Sequence, residues 1–377
     1  MHAKNTVRYF LIAIALIAFC FFTNDFNLIH VQSTAIVTAI GIDRTDDLFS
    51  ISAQVAIPSA KSGSQKGESG GAKGSFATIE GSGQTIAQAI DQINQKTGWY
   101  PKLVFCHILL LGEGLTNGNV FDALDYFLLN EYTADDCFLC ACDGQASEIL
   151  AAETPLGSTP SLSLEKLFST QAMRVGAAMP TTLREFADAY FSAGNSGMMP
   201  IVAKKTEAEG DVFDAGQTAL FVGGRRIGTL TREETFAVAC VKVPLRLAPY
   251  TLTNQQVPST LTIKNNRRST QLRIQDGTPK LCIRLSLYAG IADSAKSRPA
   301  EDLADGGDLP NGLLSVAEQR LHEQILAVFE KCRGLSFDVF DALGLLHKYQ
   351  QAQFAQWKDS LMERLEVSLS VKFGAIR

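Results

Sequence analysis

The sequence has no excess of positive charge, since 34 lysine and arginine residues are set against 39 aspartate and glutamate residues, a net charge of -5. Proteins that bind nucleic acid carry basic patches that neutralise the phosphate backbone. Nucleic acid is therefore not an expected partner.

Catalytic motifs are also scarce. His322 and Glu323 begin like the helix of a zinc protease, but Leu326 stands where the second histidine is needed. Residues 194–198 lack the glycine spacing of a nucleophile elbow, and Gly71–Ser75 does not follow the order of a phosphate-binding loop. We predict a chain that is not an enzyme, with no catalytic residue and no bound cofactor.

The eight cysteines contain one spacing that can hold zinc or an iron–sulfur cluster, Cys137, Cys140 and Cys142. On a strand, Cys137 points to the opposite face from the other two. No second pair of cysteines or histidines follows at ligand spacing. We therefore predict no metal site and mostly buried thiols.

A single histidine, His107, lies within the apolar run Leu103–Leu111. This run predicts a central strand that is covered on both faces. A histidine in such a strand is more often a core or rim residue than a catalyst, so His107 is not a catalytic candidate.

The start of the chain carries an apolar run of 14 residues, Tyr9–Phe22, preceded by Lys4 and Arg8. Cations before an apolar run stay in the cytoplasm, so the remainder of the chain is predicted to be exported. The run is shorter than the ~20 residues of an untilted spanning helix, which suits a signal peptide. A snorkelling Arg8 would also permit a thin anchor.

Cys20 raises the question of lipidation, because bacterial lipoproteins are cleaved just before a cysteine that follows a short apolar core. Ile17 and Ala18 fit that pattern, whereas Phe19 occupies the position that needs Gly, Ala or Ser. Three interpretations stay open: a lipidated Cys20, an uncleaved anchor, and a membrane cysteine that is merely apolar.

Hydrophobic periodicity predicts alternating strands and helices in the first half of the chain. Predicted strands are 33–43, 49–57, 76–80, 103–111 and 137–142, and predicted helices are 85–98, 119–128, 163–173 and 182–194. The Gly- and Ser-rich stretch 59–74 is predicted to be a flexible loop.

The second half is predicted to be a mostly antiparallel sheet with helices. A hairpin turns at Gly223–Gly224, and further strands are predicted at 236–243, 259–263, 271–274, 281–287 and 367–373. A helix capped by Ser315 and Glu318 is predicted to run to Gly334.

The predicted fold class is α/β (α+β), with several domains of mixed and antiparallel sheets packed with helices. The length of 377 residues suits two or three domains. We predict a signal peptide or anchor at 1–30, an N-terminal α/β domain at 31–155, a helical bridging segment at 156–212 and a C-terminal α+β domain at 213–377.

Several segments resemble, in order and spacing, the Ger(x)C family, the C subunits of spore germinant receptors. The segments are Ala35–Asp43, Gly81–Ala89, Cys106–Glu113, Gly216–Thr235 and, near the end, a capped helix, a D-x-F segment and an alternating strand. The resemblance spans residues 33 to 377. In that family the lipid-bearing cysteine lies nearer the first strand and ahead of a tryptophan, whereas Asn24–Phe26 stands there in this chain.

The resemblance implies a non-enzymatic, membrane-attached subunit that works beside two multi-spanning subunits, A and B, at the inner membrane of a bacterial endospore. It implies an exported domain on the outer face of that membrane, and it leaves direct binding of a small molecule open. The alternative is an exported solute-binding lipoprotein that captures a ligand between two domains. A cell-wall hydrolase is disfavoured, because the sequence offers no usable nucleophile or metal set.

Overall fold

The computed structural model describes residues 12–15, 34–56, 76–130, 132–155, 159–169, 174–254, 257–294 and 312–376. Cys20, most of the apolar run Tyr9–Phe22 and the predicted loop 59–74 lie outside these residues. Among the described helices, each is too short or too polar to cross a membrane.

Fourteen strands and eleven helices organise the described residues. The strands are β1 Thr34–Thr45, β2 Leu48–Ala56, β3 Phe76–Gly83, β4 Tyr100–Lys102, β5 Ile108–Leu111, β6 Phe138–Cys142, β7 Thr181–Thr182, β8 Ser196–Glu207, β9 Gly210–Val222, β10 Arg225–Leu230, β11 Ala248–Asn254, β12 Val257–Gln275, β13 Thr278–Ser294 and β14 Glu366–Ala375. The helices are α1 Ile86–Thr97, α2 Glu113–Thr116, α3 Phe121–Leu129, α4 Ala146–Leu150, α5 Pro160–Phe168, α6 Leu183–Phe191, α7 Arg232–Lys242, α8 Leu313–Gly334, α9 Ala342–Tyr349, α10 Gln351–Trp357 and α11 Leu361–Arg364.

The first sheet has ten strands in the order β10-β9-β8-β6-β5-β1-β2-β3, with β4 beside β1 and β7 beside β6. Its centre is parallel, because β1, β5, β6 and β8 run in the same direction, and antiparallel hairpins extend both sides. Helices α1, α3 and α6 cover one face, and α4 and α5 cover the other. The central strands are therefore buried on both faces, as parallel strands usually are.

The second sheet has four strands in the order β11-β12-β13-β14, and only β14 runs parallel to its neighbour, β13. Along most of β13, buried residues alternate with half-buried ones, so one face packs in the core and the other is partly open to solvent. Helices α7 and α8 share the core of this sheet through residues such as Val238, Ile325 and Phe329. The mixed α/β fold of several domains predicted from the sequence is confirmed.

Three predicted elements differ from the structure. The predicted strand 236–243 is instead the second half of helix α7 and its C-cap, Val243, because Thr231 and Glu234 form a capping box and residues on most sides of the helix are buried. Residues Leu103–Phe105 form a 3₁₀ turn ahead of β5, not part of a strand. Helix α8 begins after Gly312; the predicted cap residue Ser315 donates to the Gly312 carbonyl, and Glu318 accepts from the Phe373 N–H at 2.7 Å.

The predicted helical bridging segment, 156–212, contains the helices α5 and α6 but also strand β8, which lies inside the first sheet between β6 and β9. The hairpin at Gly223–Gly224 forms as predicted, with φ of +57° and +76° at the two glycines. This hairpin of β9 and β10 extends the first sheet and is not the start of the second one. Residues 196–230 therefore belong to the same sheet as the N-terminal strands.

Candidate functional site

Residues of two motif segments, Ala35–Asp43 and Cys106–Glu113, meet the stretch 144–147 at the carboxyl ends of β1, β5 and β6. The carboxylate of Asp43 accepts hydrogen bonds from the backbone N–H groups of Ala146, at 2.7 Å, and Ser147, at 3.1 Å. Gly112 packs so closely that an added Cβ would lie 2.0 Å from Asp43 Oδ1. We call Asp43, Gly112, Glu113, Gly144 and Ala146 the strand-end joint.

The carboxyl ends of strands are the usual ligand sites of open α/β sheets. In this chain that position is filled from within, because Asp43 satisfies the first N–H groups of α4. Glu113 closes the joint: its N–H donates to the Gly144 carbonyl at 2.9 Å, and its carboxylate accepts from the Gly144 N–H at 3.3 Å. Burial raises the pKa of Asp43, and the two backbone hydrogen bonds oppose that shift. The joint is structural.

A second group of motif residues, Gly216–Thr235, joins the first sheet to helices α7 and α8. The Thr235 hydroxyl donates to the buried hydroxyl of Thr218 at 3.1 Å, which fixes α7 against β9. Glu234 bonds the Lys331 ammonium of α8 at 2.7 Å. Burial is the largest single influence and raises the pKa of Glu234, but the bond and charge of Lys331 and the hydrogen bonds with Thr231 together outweigh it, so this pKa is lowered. These motif residues also build the fold.

One concave feature is a cleft of about 520 Å³ between α6, β8, the end of α7 and the loop from Phe337 to Asp341. We call it the junction cleft. Its apolar lining residues include Met179, Phe186, Met198, Val243 and Phe337, and its charged ones are Glu185, Asp188, Lys242, Asp338 and Asp341. Four carboxylates against one ammonium make the cleft acidic.

Two charged residues of the junction cleft, Asp338 and Lys242, make hydrogen bonds to the surrounding backbone. Asp338 accepts from the N–H groups of Ala342, at 2.8 Å, and Leu343, at 2.7 Å, and so caps α9. Burial raises the pKa of Asp338 in spite of those bonds. The Lys242 ammonium donates to the Val339 carbonyl at 3.2 Å. The cleft thus has fixed polar walls.

The junction cleft offers little for catalysis. The hydroxyls of Ser192 and Ser196 donate to the carbonyls of Ala189, at 2.6 Å, and Gly194, at 2.7 Å, so their protons are engaged within the chain. The charged side chains of the cleft are the carboxylates and the ammonium named above.

The residues singled out from the sequence are scattered over the structure. Cys20 lies outside the described residues. His107 is exposed, and its backbone links strands, donating to Thr38 O at 2.9 Å and accepting from Phe138 N at 2.8 Å. His322 lies half-buried on α8, far along the chain from these strands.

The cysteines are packed as apolar residues. Cys137 belongs to the core on one face of the first sheet, whereas Cys140 and Cys142 belong to the core on the other face, as the strand pattern predicts. Burial raises the pKa of Cys106 to about 12, so the thiol stays protonated. Within the described part of the chain, no three His, Cys, Asp or Glu side chains are grouped to share a metal ion.

Sequence reasoning missed most of the junction cleft. Asp338 stands in the D-x-F segment, but Lys242 lies in the predicted strand 236–243 and Glu185 in the predicted helix 182–194, and no sequence pattern marks either as a cleft residue. Asp341 has a positive φ of +58°, which no local pattern signals. The cleft is formed by elements far apart in sequence, so only the tertiary structure brings its residues together.

Comparisons with known proteins match the chain along almost its whole length. A family model described as "Spore germination protein N-terminal domain" matches residues 29–204, and one described as "Spore germination B3/ GerAC like, C-terminal" matches residues 216–377. "Spore germination protein B3" of Bacillus subtilis (strain 168) is 22% identical over 335 residues, which are 87% of this chain and 84% of that protein.

A solved structure, described as "Crystal Structure of the GerBC protein", has a similar fold. It superposes with a TM-score of 0.53 at 18% identity, and the match covers 90% of this chain and 97% of that one. At this identity the likeness concerns the fold alone.

Proposed function

The chain belongs to the GerAC-like family of spore germination proteins, and we propose that it is a non-enzymatic, membrane-attached subunit of a nutrient germinant receptor. In this proposal it assembles with two multi-spanning membrane subunits, A and B, and supports germination by completing that complex. The main observation that supports this proposal is that two family models match the chain in order, over residues 29–204 and 216–377.

The use of the motif residues supports a role without catalysis. Asp43, Gly112 and Glu113 hold strand ends and a helix start together, and Glu234 and Thr235 fasten α7. Groups that are saturated by internal hydrogen bonds are poorly suited to proton transfer or nucleophilic attack. A rigid exported scaffold is consistent with a subunit that presents surfaces to partners.

Membrane attachment in this proposal is through the segment before Thr23, with the globular part on the outer face. The apolar run Tyr9–Phe22 and the cations before it support that orientation. Either a lipid on Cys20 or the retained segment would supply the anchor. We also propose that the chain divides at 1–30, 31–155, 156–212 and 213–377, although the first sheet crosses the last two boundaries, because β8–β10 complete it.

The assembly proposal is tested by destabilising the C-terminal core. Phe329 is 1% exposed, stacks on Phe340 with ring centroids 6.3 Å apart, and lies under the Arg333 guanidinium at 4.8 Å. Phe329→Ala should cost about 3–5 kcal/mol, a large share of the ~5–15 kcal/mol of a typical domain. If the chain completes a receptor, all subunits should fall in abundance together, because incomplete complexes are cleared.

The measurement is a quantitative immunoblot of this chain and the two multi-spanning proteins in spore membranes. Tyr349→Ala is the matched control, because Tyr349 is 67% exposed on the same half of the chain. We expect normal abundance and germination in the control. Loss of this chain with partners at normal levels would reject assembly and would favour the exported solute-binding lipoprotein.

A further inference from the structure

One short segment, from Trp99 to Phe105, exposes four large apolar side chains. The exposed fractions are 43% for Trp99, 44% for Tyr100, 44% for Val104 and 47% for Phe105. The segment is not loosely packed, because Leu103 between them is only 4% exposed. The four side chains therefore face outward from an anchored piece of backbone.

This segment lies at the end of the first sheet where the central strand β1 begins, and we call this end of the sheet the edge. Strand β4 pairs with the first residues of β1, with Tyr100 opposite Thr34 and Lys102 opposite Ile36. Ile36 is itself 39% exposed. Since β5 runs parallel to β1 and starts just after Phe105, the starts of both strands share this edge.

Helix α3 returns to the same edge, because it connects the end of β5 to the start of the parallel strand β6. Its last residue, Leu129, is 86% exposed, and Tyr132 just beyond it is 59% exposed. We call Trp99, Tyr100, Val104, Phe105, Leu129 and Tyr132 the aromatic edge.

A shallow groove of about 300 Å³ continues the aromatic edge. Alanine, valine and isoleucine side chains from the start of β1, the end of β2 and the start of β3 line it, and Trp99 forms one wall. The exposed rings of the aromatic edge therefore lie beside this apolar groove.

The covalent chain fixes how far this edge lies from the N-terminal apolar run. Only residues 23–33, eleven in number, separate Phe22 from Thr34, the first residue of β1. Eleven residues span at most about 40 Å when fully extended. A membrane that holds the apolar run thus lies within about 40 Å of the start of β1, next to the aromatic edge, and the β1–β2 turn lies at the far end of a 12-residue strand.

We propose that the aromatic edge lies in the interfacial layer of the lipid bilayer, so that the globular part docks on the membrane in one orientation. The proposal rests on the proposed membrane attachment. Tryptophan and tyrosine favour that layer, because their rings are apolar and their N–H and O–H groups reach polar headgroups. Lys102 is the one charged residue of Trp99–Phe105, so this segment carries no strong positive charge and docking does not require anionic lipid.

The test uses the two tryptophans of the full-length chain, Trp99 and Trp357, of which Trp357 is 6% exposed. The protein is reconstituted into vesicles of zwitterionic phosphatidylcholine with or without bromine on the acyl chains, and its fluorescence is recorded. Bromine quenches only tryptophans that reach the bilayer. We expect bromolipid to remove about half of the wild-type emission, and almost none in Trp99→Phe.

The matched control adds a tryptophan at the other end of β1. Leu48 is 51% exposed in the β1–β2 turn, so Trp99→Phe/Leu48→Trp has an exposed ring that the proposal keeps away from lipid. We expect bromolipid to leave its emission unchanged. Trp357→Phe should keep the full quenching of the remaining Trp99 signal.

Equal quenching of Trp99 and the Leu48→Trp ring, or quenching of neither, would overturn the proposal. In the second case a protein subunit, not lipid, would be the partner of the aromatic edge. Failure of this inference is distinct from failure of the proposed function: protein that sediments with membranes and supports germination, yet shows an unquenched Trp99, refutes only the docking.

Discussion

The Asp43 carboxylate, at the end of β1, accepts a 2.7 Å hydrogen bond from the backbone N–H of Ala146, 103 residues later in the chain. The same carboxylate bonds the next N–H, of Ser147, at 3.1 Å. A carboxylate at a helix N-terminus satisfies unpaired N–H groups and interacts favourably with the helix dipole. One side chain thereby fastens the central strand to α4.

We predict that Asp43→Ala lowers the free energy of unfolding by about 2 kcal/mol, because two partly buried N–H groups lose their acceptor. Asp43→Asn, which keeps one acceptor oxygen, should cost less. Urea unfolding of the full-length protein in detergent measures both. Asp47→Ala is the control, since Asp47 is exposed in the nearby turn, and an equal loss there would contradict the role of Asp43.

Gly112, which packs against the Asp43 carboxylate, should be equally sensitive to substitution. A Cβ at Gly112 would lie 2.0 Å from Asp43 Oδ1, so Gly112→Ala must push the carboxylate from its position and is expected to cost about 1–3 kcal/mol. At Gly118 an added Cβ finds its nearest neighbour, Leu115 O, at 3.5 Å. Gly118→Ala should therefore be nearly neutral, and similar unfolding midpoints for the two variants would refute the steric argument.

Periodicity predicted most of the fold because burial follows it closely. The strict alternation of 281–287 is repeated in the burial of β13, and Thr85 caps α1 by accepting from the Gln88 N–H at 3.2 Å. Residues 236–243 were assigned to a strand because valine and phenylalanine favour one. The capping box at Thr231 and Glu234 and burial on most sides outweighed that propensity.

The surfaces were harder to predict than the core. The run Leu103–Leu111 is apolar apart from His107 and predicts that Val104 and Phe105 lie inside, yet both are exposed where β5 begins. A one-dimensional apolar pattern does not distinguish a buried strand from an interaction surface. The junction cleft could not be predicted for a similar reason. It forms only in the tertiary structure, because α6 and the Phe337–Asp341 loop are about 150 residues apart in the sequence.

Asn266 should be the most costly polar residue of the second sheet to remove. It is 6% exposed and makes three hydrogen bonds, accepting from Leu245 N at 2.8 Å and donating to the carbonyls of Cys240 and Val243 at 2.9 Å. We expect Asn266→Ala to cost about 2–4 kcal/mol, because it leaves buried backbone groups at the end of α7 unsatisfied. Thermal unfolding measures the loss.

The neighbouring residue supplies the control for Asn266. Asn265 is exposed on the same strand, so Asn265→Ala should change the free energy of unfolding by about 0.5 kcal/mol or less. If the two alanine variants melted at the same temperature, the buried hydrogen bonds of Asn266 would not be what holds α7 against β12.

The final prediction concerns acid stability and Asp214. Its carboxylate bonds the Lys205 ammonium at 2.6 Å, and this bond is the main reason that its pKa is lowered from 3.8 to about 2. Burial opposes the shift, while the Gly216 N–H and the Arg232 guanidinium assist it. A carboxyl with a lower pKa in the folded state adds stability above its unfolded pKa, and this stability is lost as the pH falls from about 4 to 2.

We expect Asp214→Asn to cost on the order of 1–2 kcal/mol at pH 7, after allowance for solvent screening, and almost nothing at pH 2. The measurement is the difference in unfolding free energy between wild type and variant across that pH range, with Glu209→Gln, exposed in the adjacent turn, as control. A difference that stays constant from pH 7 to pH 2 would show that the ionised carboxylate contributes nothing beyond its shape.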